Sequence, residues 1–593
     1  MRLENLARMK RERKTSIRYS SLLFCLLIAA VLIAVNLAAQ EPAVANGLPQ
    51  IDSIDPEYGG IGEKVTIVGT LFFATRGDSY VTFGTTKATE YVSWSDTQIE
   101  VIVPRGLSEG EVNVTVTVEG SGNSNPEPFN VVPYGVGFAE GYTGDGFREF
   151  FCIGNPNDYP AQAQILFLYP TSEYWEENLT IPANSRVTLD VNSIPGPSDE
   201  VSAMVLSDLE LVVERPMYFD YSGMWPGGHD EMGSPYVSKL WFFAEGYTGA
   251  GFEEWICVLN MGADTANLTF YFQTQEAGEI IRTETVPPAS RRSFKVNELL
   301  GPDYQCSLVL ESDQFVLAER AMYFDYTGMG NHHWQGGHCV MGTTYLTREY
   351  YFAEGTTRPG FEEWVTIQNP FDSAITVIAT YQLGEGSPIV ESYVVPPLSR
   401  ETLYIPDEVG VDKDVSVKLA SSADFLAERP MYFNYTGYGA SWNGGHCVMG
   451  AKELAEESFF AEGYTGPGFQ EWLCLQNPGD QDSLVEITYL TKGGSPIVKT
   501  KGVPAKSRTT LFINEDAGPN LELSCTVKVL SGPPIVVERP MYFDFNGVWP
   551  GGHDVIGYRP FSYQGSSAVS GAGLQQLAPV GSIIFDHERW KER

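Results

Sequence analysis

An all-β fold, laid out as a tandem array of sandwich domains behind one N-terminal membrane-targeting helix, is what this sequence predicts, on three observations. First, a set of markers occurs four times. Phe-Ala-Glu-Gly opens at Phe138, Phe243, Phe352 and Phe460; Glu-Arg-x-Met-Tyr-Phe follows at Glu214, Glu319, Glu428 and Glu538; Trp-x-Gly-Gly-His closes at Trp225, Trp334, Trp442 and Trp549. Second, the segments between the markers are short, rich in β-branched and aromatic residues, and separated by Gly and Pro. Third, Leu22 to Val35 is unbroken apolar and follows a basic leader.

The opening marker recurs at intervals of 105, 109 and 108 residues. That is the size of a whole small domain, too long for a solenoid turn. The composition is globular, 43% hydrophobic and 12% aromatic, with 60 Gly and 37 Pro as turn material. A formal net charge of -37 argues against a nucleic-acid partner, which needs clustered Lys and Arg. No acidic calcium loop, Gly-rich phosphate loop or G-x-S-x-G elbow is present, and no cofactor is implied.

Residues 1–19 form a basic leader, with seven Lys or Arg among the first 18 positions. Residues 20–39 are read as a transmembrane anchor or a signal segment. Positive charge stays on the cytoplasmic side, so the bulk of the chain is expected outside the cell. An anchor needs about 17–25 apolar residues, which 20–39 meets; a cleaved signal peptide would use Ala43-Val-Ala45. The expected location is the cell membrane, single-pass with an extracellular C-terminal bulk, or secretion if the leader is removed.

Residues 48–133 contain alternating strands at Lys64–Val68, Tyr80–Phe83, Gln98–Val103 and Val112–Val118, the pattern of a half-buried antiparallel sandwich. Ile51-Asp-Ser-Ile-Asp-Pro56, Gly59-Gly-x-Gly62, Val65-Thr-Ile-Val-Gly69, Val81-Thr-Phe-Gly84 and Ile99-x-Val-x-Val-Pro104 resemble an IPT/TIG domain. That resemblance implies an immunoglobulin-like fold. The family occurs in cell-surface receptors, extracellular sugar-processing enzymes and transcription factors, so fold alone does not give function.

The repeats are placed at 134–240, 241–349, 350–457 and 458–562, with a flexible tail at 563–593. In the second copy strands are expected at Leu240–Glu245, Glu254–Leu259, Asn267–Gln273, Ile280–Val286, Ser293–Val296, Ser307–Leu310 and Phe315–Phe324. About seven strands per copy suggest a β-sandwich. Val286-Pro-Pro-Ala-Ser-Arg291 is a turn, repeated at Ile181–Arg186, Val395–Arg400 and Val503–Arg508. The copies resemble a repeat of this length seen in modular secreted bacterial surface proteins of unestablished role.

Cys257 and Cys306 in the second copy match Cys474 and Cys525 in the fourth, while the third has Thr366 and Val415. Joint presence and joint absence in an exported chain predict disulfides Cys257–Cys306 and Cys474–Cys525. Cys152, Cys339 and Cys447 have no evident partners.

The Trp-x-Gly-Gly-His stretch is the candidate ligand-binding element. Two glycines free the backbone, so Trp225 with His229, Trp334 with His338, Trp442 with His446 and Trp549 with His553 are expected on exposed turns facing a sugar or protein. The competing reading buries each Trp in the sandwich core. His332, His333, His338 and Cys339 fall within eight residues and form a candidate metal set. The recurring Glu-Arg pair reads as an arginine satisfied by a carboxylate at a sandwich rim.

These features point to a non-catalytic exported surface protein working by multivalent binding, adhesion or spacing. Its partners would be a cell-envelope or extracellular glycan or a protein, with membrane contact through the N-terminal helix. A polysaccharide-active enzyme or its carbohydrate-binding accessory, and a purely structural stalk, are the alternatives. No single copy has carboxylates the others lack, so no catalytic residues are assigned.

Overall fold

The computed structural model describes residues 47–329, 332–384, 386–492, 495–559 and 577–583. The leader and the 20–39 segment lie outside the described residues, as does most of the 563–593 tail. Among the described residues no helix is long and apolar enough to cross a membrane. The chain is all-β, in two compact units. One comprises 65–101 and 112–129 with the segment ending at Asp55; the other comprises 56–64, 102–111 and everything from Asn130 onward.

Between Gln50 and Val131 two sheets form. One orders Gln50–Asp55, Lys64–Thr70, Gln98–Ile102 and Tyr91–Trp94; the other is centred on Gly110–Val118, flanked by Glu127–Val131 and Tyr80–Phe83. Alternation carries the core: Val65, Ile67, Val81, Phe83, Ile99, Val101, Val114 and Val116 are all fully buried. The strands expected from the sequence are present here.

Each of the four copies builds an outer and an inner antiparallel sheet. In the first, the outer sheet orders Tyr134–Phe138, Ser202–Ser207, Ala161–Leu168 and Tyr174–Ile181, and the inner sheet orders Ser185–Asp190, Phe147–Asn155, Met217–Tyr221 and Trp225–His229. The pairing register repeats from copy to copy: Phe147 faces Phe219, Phe252 faces Phe324, Phe361 faces Phe433, and Phe469 faces Phe543. In copies two and three a single long strand, Cys306–Thr327 or Val415–Gly437, serves both sheets, so the two strands expected at Ser307–Leu310 and Phe315–Phe324 are one. The Pro-x-x-Ser-Arg turns are turns, each with a left-handed residue at the same position: Asn184, Ala289, Leu398 and Lys506.

The copies are not strung out one after another. The four inner sheets stand like blades around one pseudo-fourfold axis and close on themselves. Trp225–His229, His333–Met341, Ala440–Met449 and Trp549–Ile556 are the innermost strands, each in contact with the next and the last with the first. Their glycines permit this. A β-carbon on Gly227 would stand 2.9 Å from Gly336 Cα, one on Gly336 3.4 Å from Gly444 Cα, one on Gly444 3.2 Å from Gly551 Cα, and one on Gly551 3.2 Å from the Gly227 carbonyl carbon. The second glycine of each pair takes a phenylalanine from the preceding blade: Phe219 on Gly337, Phe324 on Gly445, Phe433 on Gly552, and Phe543 on Gly228. Residues read as a loop are therefore strands, because glycine in a strand marks close backbone approach as well as turns.

A second correction concerns the tail. Leu577–Pro579 pairs with the edge strand Tyr236–Phe243, and Val580 behind it is fully buried.

Candidate functional site between the blades

Each blade interface is fastened by the recurring Glu-Arg pair, whose two members face opposite neighbours. Arg215 meets Glu319 at 2.8 Å, Arg320 meets Glu428 at 2.7 Å, Arg429 meets Glu538 at 2.9 Å, and Arg539 returns to Glu214 at 2.8 Å. All eight side chains are fully buried. The other oxygen of each glutamate accepts from the Phe-Ala-Glu-Gly backbone of the preceding copy, at the N–H of Ala139, Ala244, Ala353 and, across the closure, Ala461. Each arginine also donates to the carbonyl of Glu140, Glu245, Glu354 or Glu462 in its own copy. The pair is thus structural, with its carboxylate supplied by the next blade.

The Ser-Arg of each Pro-x-x-Ser-Arg turn crosses the same interfaces. Arg400 donates to the carbonyls of Gly246 and Cys306 and to Glu245; Arg508 donates to those of Gly355 and Val415, and Arg186 to those of Gly463 and Leu523. Arginine's planar fork suits such multiple donation.

The expected disulfides are not formed. All seven described cysteines are free and buried. Cys257 lies 3.5 Å from Ser293 Oγ on the side facing the first copy, whereas Cys306 lies 3.8 Å from Glu254 on the side facing the third. Cys474 likewise faces Arg508, at 3.3 Å, while burial and Glu471 surround Cys525 on the opposite side. The shared position of Cys152, Cys257, Thr366 and Cys474 is explained otherwise: in three copies it accepts from the turn arginine, as Cys152 from Arg186, Thr366 from Arg400 and Cys474 from Arg508.

The aromatic stretch is not on exposed turns. His229, His338, His446 and His553 are at most 2% exposed, and burial beside the arginines pushes each imidazole well below its usual range. Trp334 and Trp442 are buried, while Trp225 and Trp549 are half-buried and stacked on Tyr221 and Phe545. The His332, His333, His338, Cys339 set does not converge: His332 and His333 are exposed at the start of the strand, and His338 is buried five residues on, about 17 Å away at strand rise. His333 is instead bonded to Asp325.

What the interfaces offer outward is an aromatic cleft. Between the second and third copies a cavity of about 170 Å³ is lined by Tyr247, Phe252, Tyr326, Trp364, Arg400 and Tyr432 among others. Tyr247, Tyr326 and Trp364 are half-buried, and Trp334 stacks behind Tyr326 at 5.7 Å. Flat rings beside a buried Arg400–Glu245 pair (2.9 Å) combine apolar faces with hydrogen-bonding groups. At the first and last interfaces the equivalent rings close on each other: Tyr221 stacks on Tyr323 at 3.9 Å and Phe545 on Tyr218 at 4.1 Å. Trp364 and Arg400 were missed as site residues in the sequence. Their signal in the sequence is recurrence alone: Trp364 follows a glutamate as Trp255 and Trp472 do, and Arg400 ends one of the Ser-Arg turns.

One family model matches part of the chain. The model of the IPT/TIG domain matches residues 49–131. This segment is an IPT/TIG domain. Among curated proteins the chain is similar to a cyclomaltodextrin glucanotransferase of Paenibacillus macerans, 30% identical over 156 residues, covering 23% of this chain and 21% of the relative. A cyclomaltodextrin glucanotransferase of Niallia circulans is 28% identical over 170 residues, covering 25% and 22%. The chain spans about a fifth of the length of these relatives. Among solved structures, that of Thermotoga maritima 1070 is 19% identical with a TM-score of 0.16, covering 18% of this chain and 93% of that one.

The interfaces also set a pH response. Glu149, Glu254, Glu363 and Glu471 occupy one equivalent position, and burial raises their carboxyls to about 8, 7, 8 and 8. Folding therefore favours the protonated form. Their contribution is complete below the ordinary value of 4.5 and is lost as pH rises towards 7–8. Melting temperature is expected to fall between pH 5 and 9 over this range, by about several degrees. Replacing all four by glutamine should flatten that slope in a thermal-melt series; an unchanged slope would contradict the assignment.

Proposed function

We propose that this chain is a non-catalytic carbohydrate-binding protein of the cell exterior, held by residues 20–39 or secreted, which displays its ligand site on a ring. The observation that carries this reading is the cleft at Tyr247, Tyr326, Trp364 and Tyr432, with Arg400 and Glu245 beneath it. Aromatic faces pack on the apolar face of a pyranose ring, and the flanking polar groups bond its hydroxyls. The partial similarity to glucanotransferases supports an α-glucan as the first ligand to test. The net charge of -37 favours a neutral glycan over an anionic one.

Affinity electrophoresis of the full chain in gels containing soluble starch, cellulose or peptidoglycan fragments tests this. Retardation by one glycan is expected, with Trp364→Ala weakening it about tenfold or more, about 1.4 kcal/mol per tenfold. The melting temperature should change little, since Trp364 is only half-buried. No retardation of the parent protein by any glycan would favour the structural stalk. Release of reducing sugar would favour the enzyme.

A further inference from the structure

The four blade interfaces share one plan but differ in chemistry near the axis. His229 of the first blade lies beside Cys339 of the second, and His553 of the last lies 3.9 Å from Asp230 of the first; in each case the facing residue is the one after that blade's own histidine. In the last two interfaces that residue is an aspartate, and it is occupied: Asp554 binds Arg429 at 2.5 Å and Asp230 binds Arg539 at 2.7 Å. Between blades two and three it is Cys447, but the nearby Glu245 is taken by Arg400 at 2.9 Å and by the Thr366 hydroxyl at 2.6 Å.

The interface between blades one and two differs from both. Cys339 stands in place of the aspartate, and Cys257 stands where Thr366 would be. Arg291 is drawn away to Glu200 and Ser293, each at 2.9 Å. Glu140, like Glu354, has an Oε2 that accepts no hydrogen bond, and it lies 3.2 Å from Arg215 Nη2. His229, 2% exposed, has no hydrogen-bond partner at either ring nitrogen, as is also true of His338, His446 and His553; what differs here is that it lies beside both a thiol and a carboxylate. The ligand atoms of Glu140, His229 and Cys339 lie within 4.8 Å of one another.

We propose that this interface is a binding site for zinc or a similarly borderline-soft divalent cation, held by the imidazole of His229, the thiolate of Cys339 and the carboxylate of Glu140. Imidazole, thiolate and carboxylate form a zinc donor set. Tetrahedral zinc ligands lie about 3.5 Å apart, so no pair of side chains needs to close by more than about 1.3 Å on binding. The Cys339 thiol, which donates to Glu319 at 3.2 Å before binding, gives that proton up to solvent in the step. Charge supports the assignment. Arg215 faces two carboxylates here, Glu140 and Glu319, at 3.2 and 2.8 Å. A divalent cation with a thiolate adds one net positive charge and cancels the excess. Arg215 keeps its bonds to Glu319 and to the Glu140 carbonyl.

The test uses the full chain, reduced and stripped with a chelator. Zinc uptake should reach one firmly held ion per chain. Cobalt in its place should give a thiolate-to-metal charge-transfer band, which the exposed His332 and His333 cannot produce. Cys339→Ser should abolish the band and weaken zinc binding on the order of 100-fold, while Cys447→Ser keeps both. If Cys339→Ser fails to fold, the parent protein and Cys447→Ser still decide the matter. A parent protein that holds no zinc, or shows no cobalt band, overturns the proposal, and so does a band that survives Cys339→Ser.

Discussion

Replacing Arg539 by alanine is expected to remove about 3–5 kcal/mol of stability, because it strands charges that water cannot reach. Arg539 bonds Glu214 at 2.8 Å and Asp230 at 2.7 Å, both in the first copy, and the Glu462 carbonyl in its own. Its side chain and both carboxylates are fully buried. The wild-type arrangement gains little over an apolar interface of the same shape, since two desolvated charges offset much of their own attraction. Loss of one partner is another matter: Glu214 and Asp230 would either take up protons or pull the interface open. Denaturant unfolding of the full chain measures the change. Arg348→Ala is the control, because its partner Asp424 and Arg348 itself are 47% and 66% exposed, and such pairs contribute at most about 1 kcal/mol. A loss for Arg539→Ala no larger than that of the control would contradict the ring-closing role.

The second large effect is expected at Gly227. Valine has the higher strand propensity and would ordinarily stabilise a strand relative to glycine. Here its β-carbon would stand 2.9 Å from Gly336 Cα and 3.0 Å from Phe219 Cε2, and backbone cannot rotate aside. Gly227→Val should therefore cost about 1–3 kcal/mol or more, as overpacked sites do. Gly502 sits on the edge strand Ile497–Val503 with nothing within 4 Å of a β-carbon, and Gly502→Val should be neutral or stabilising. Equal effects at the two sites, read as thermal midpoints, would show that the innermost strands do not pack as described.

The all-β class, the IPT/TIG segment, the repeat period and most strands were legible because they rest on local signals: alternation, turn residues and spacing. The ring was not. Its closure depends on residues such as Glu214 and Arg539, 325 positions apart in the sequence, whose pairing leaves no trace in periodicity. Each Glu-Arg dipeptide reads as an arginine satisfied by a carboxylate, and it is, but the carboxylate comes from the next copy, so the two halves of a dipeptide serve different neighbours. The Trp-x-Gly-Gly-His stretch misled for a similar reason. Its glycines signalled a turn, yet they are small so that four strands can meet, and the histidine beside them is consequently buried. Matching cysteines suggested a bond, but at the first of the two positions Cys152, Thr366 and Cys474 each accept from a turn arginine, so the position recurs for that contact in three copies. The candidate cleft was half visible: Tyr326 and Tyr432 belong to the aromatic strand already singled out, while Trp364 and Arg400 come from neighbouring segments that only the interface brings together.

Energetic coupling between Glu214 and Arg539 tests the closed ring most directly. A double-mutant cycle of Glu214→Gln, Arg539→Met and the pair, followed by denaturant unfolding of the full chain, isolates that coupling. Four blades closed on themselves predict an interaction of about 2 kcal/mol or more between these residues of the first and last copies. Strictly additive losses would mean that the two never meet and that the copies stand in a row.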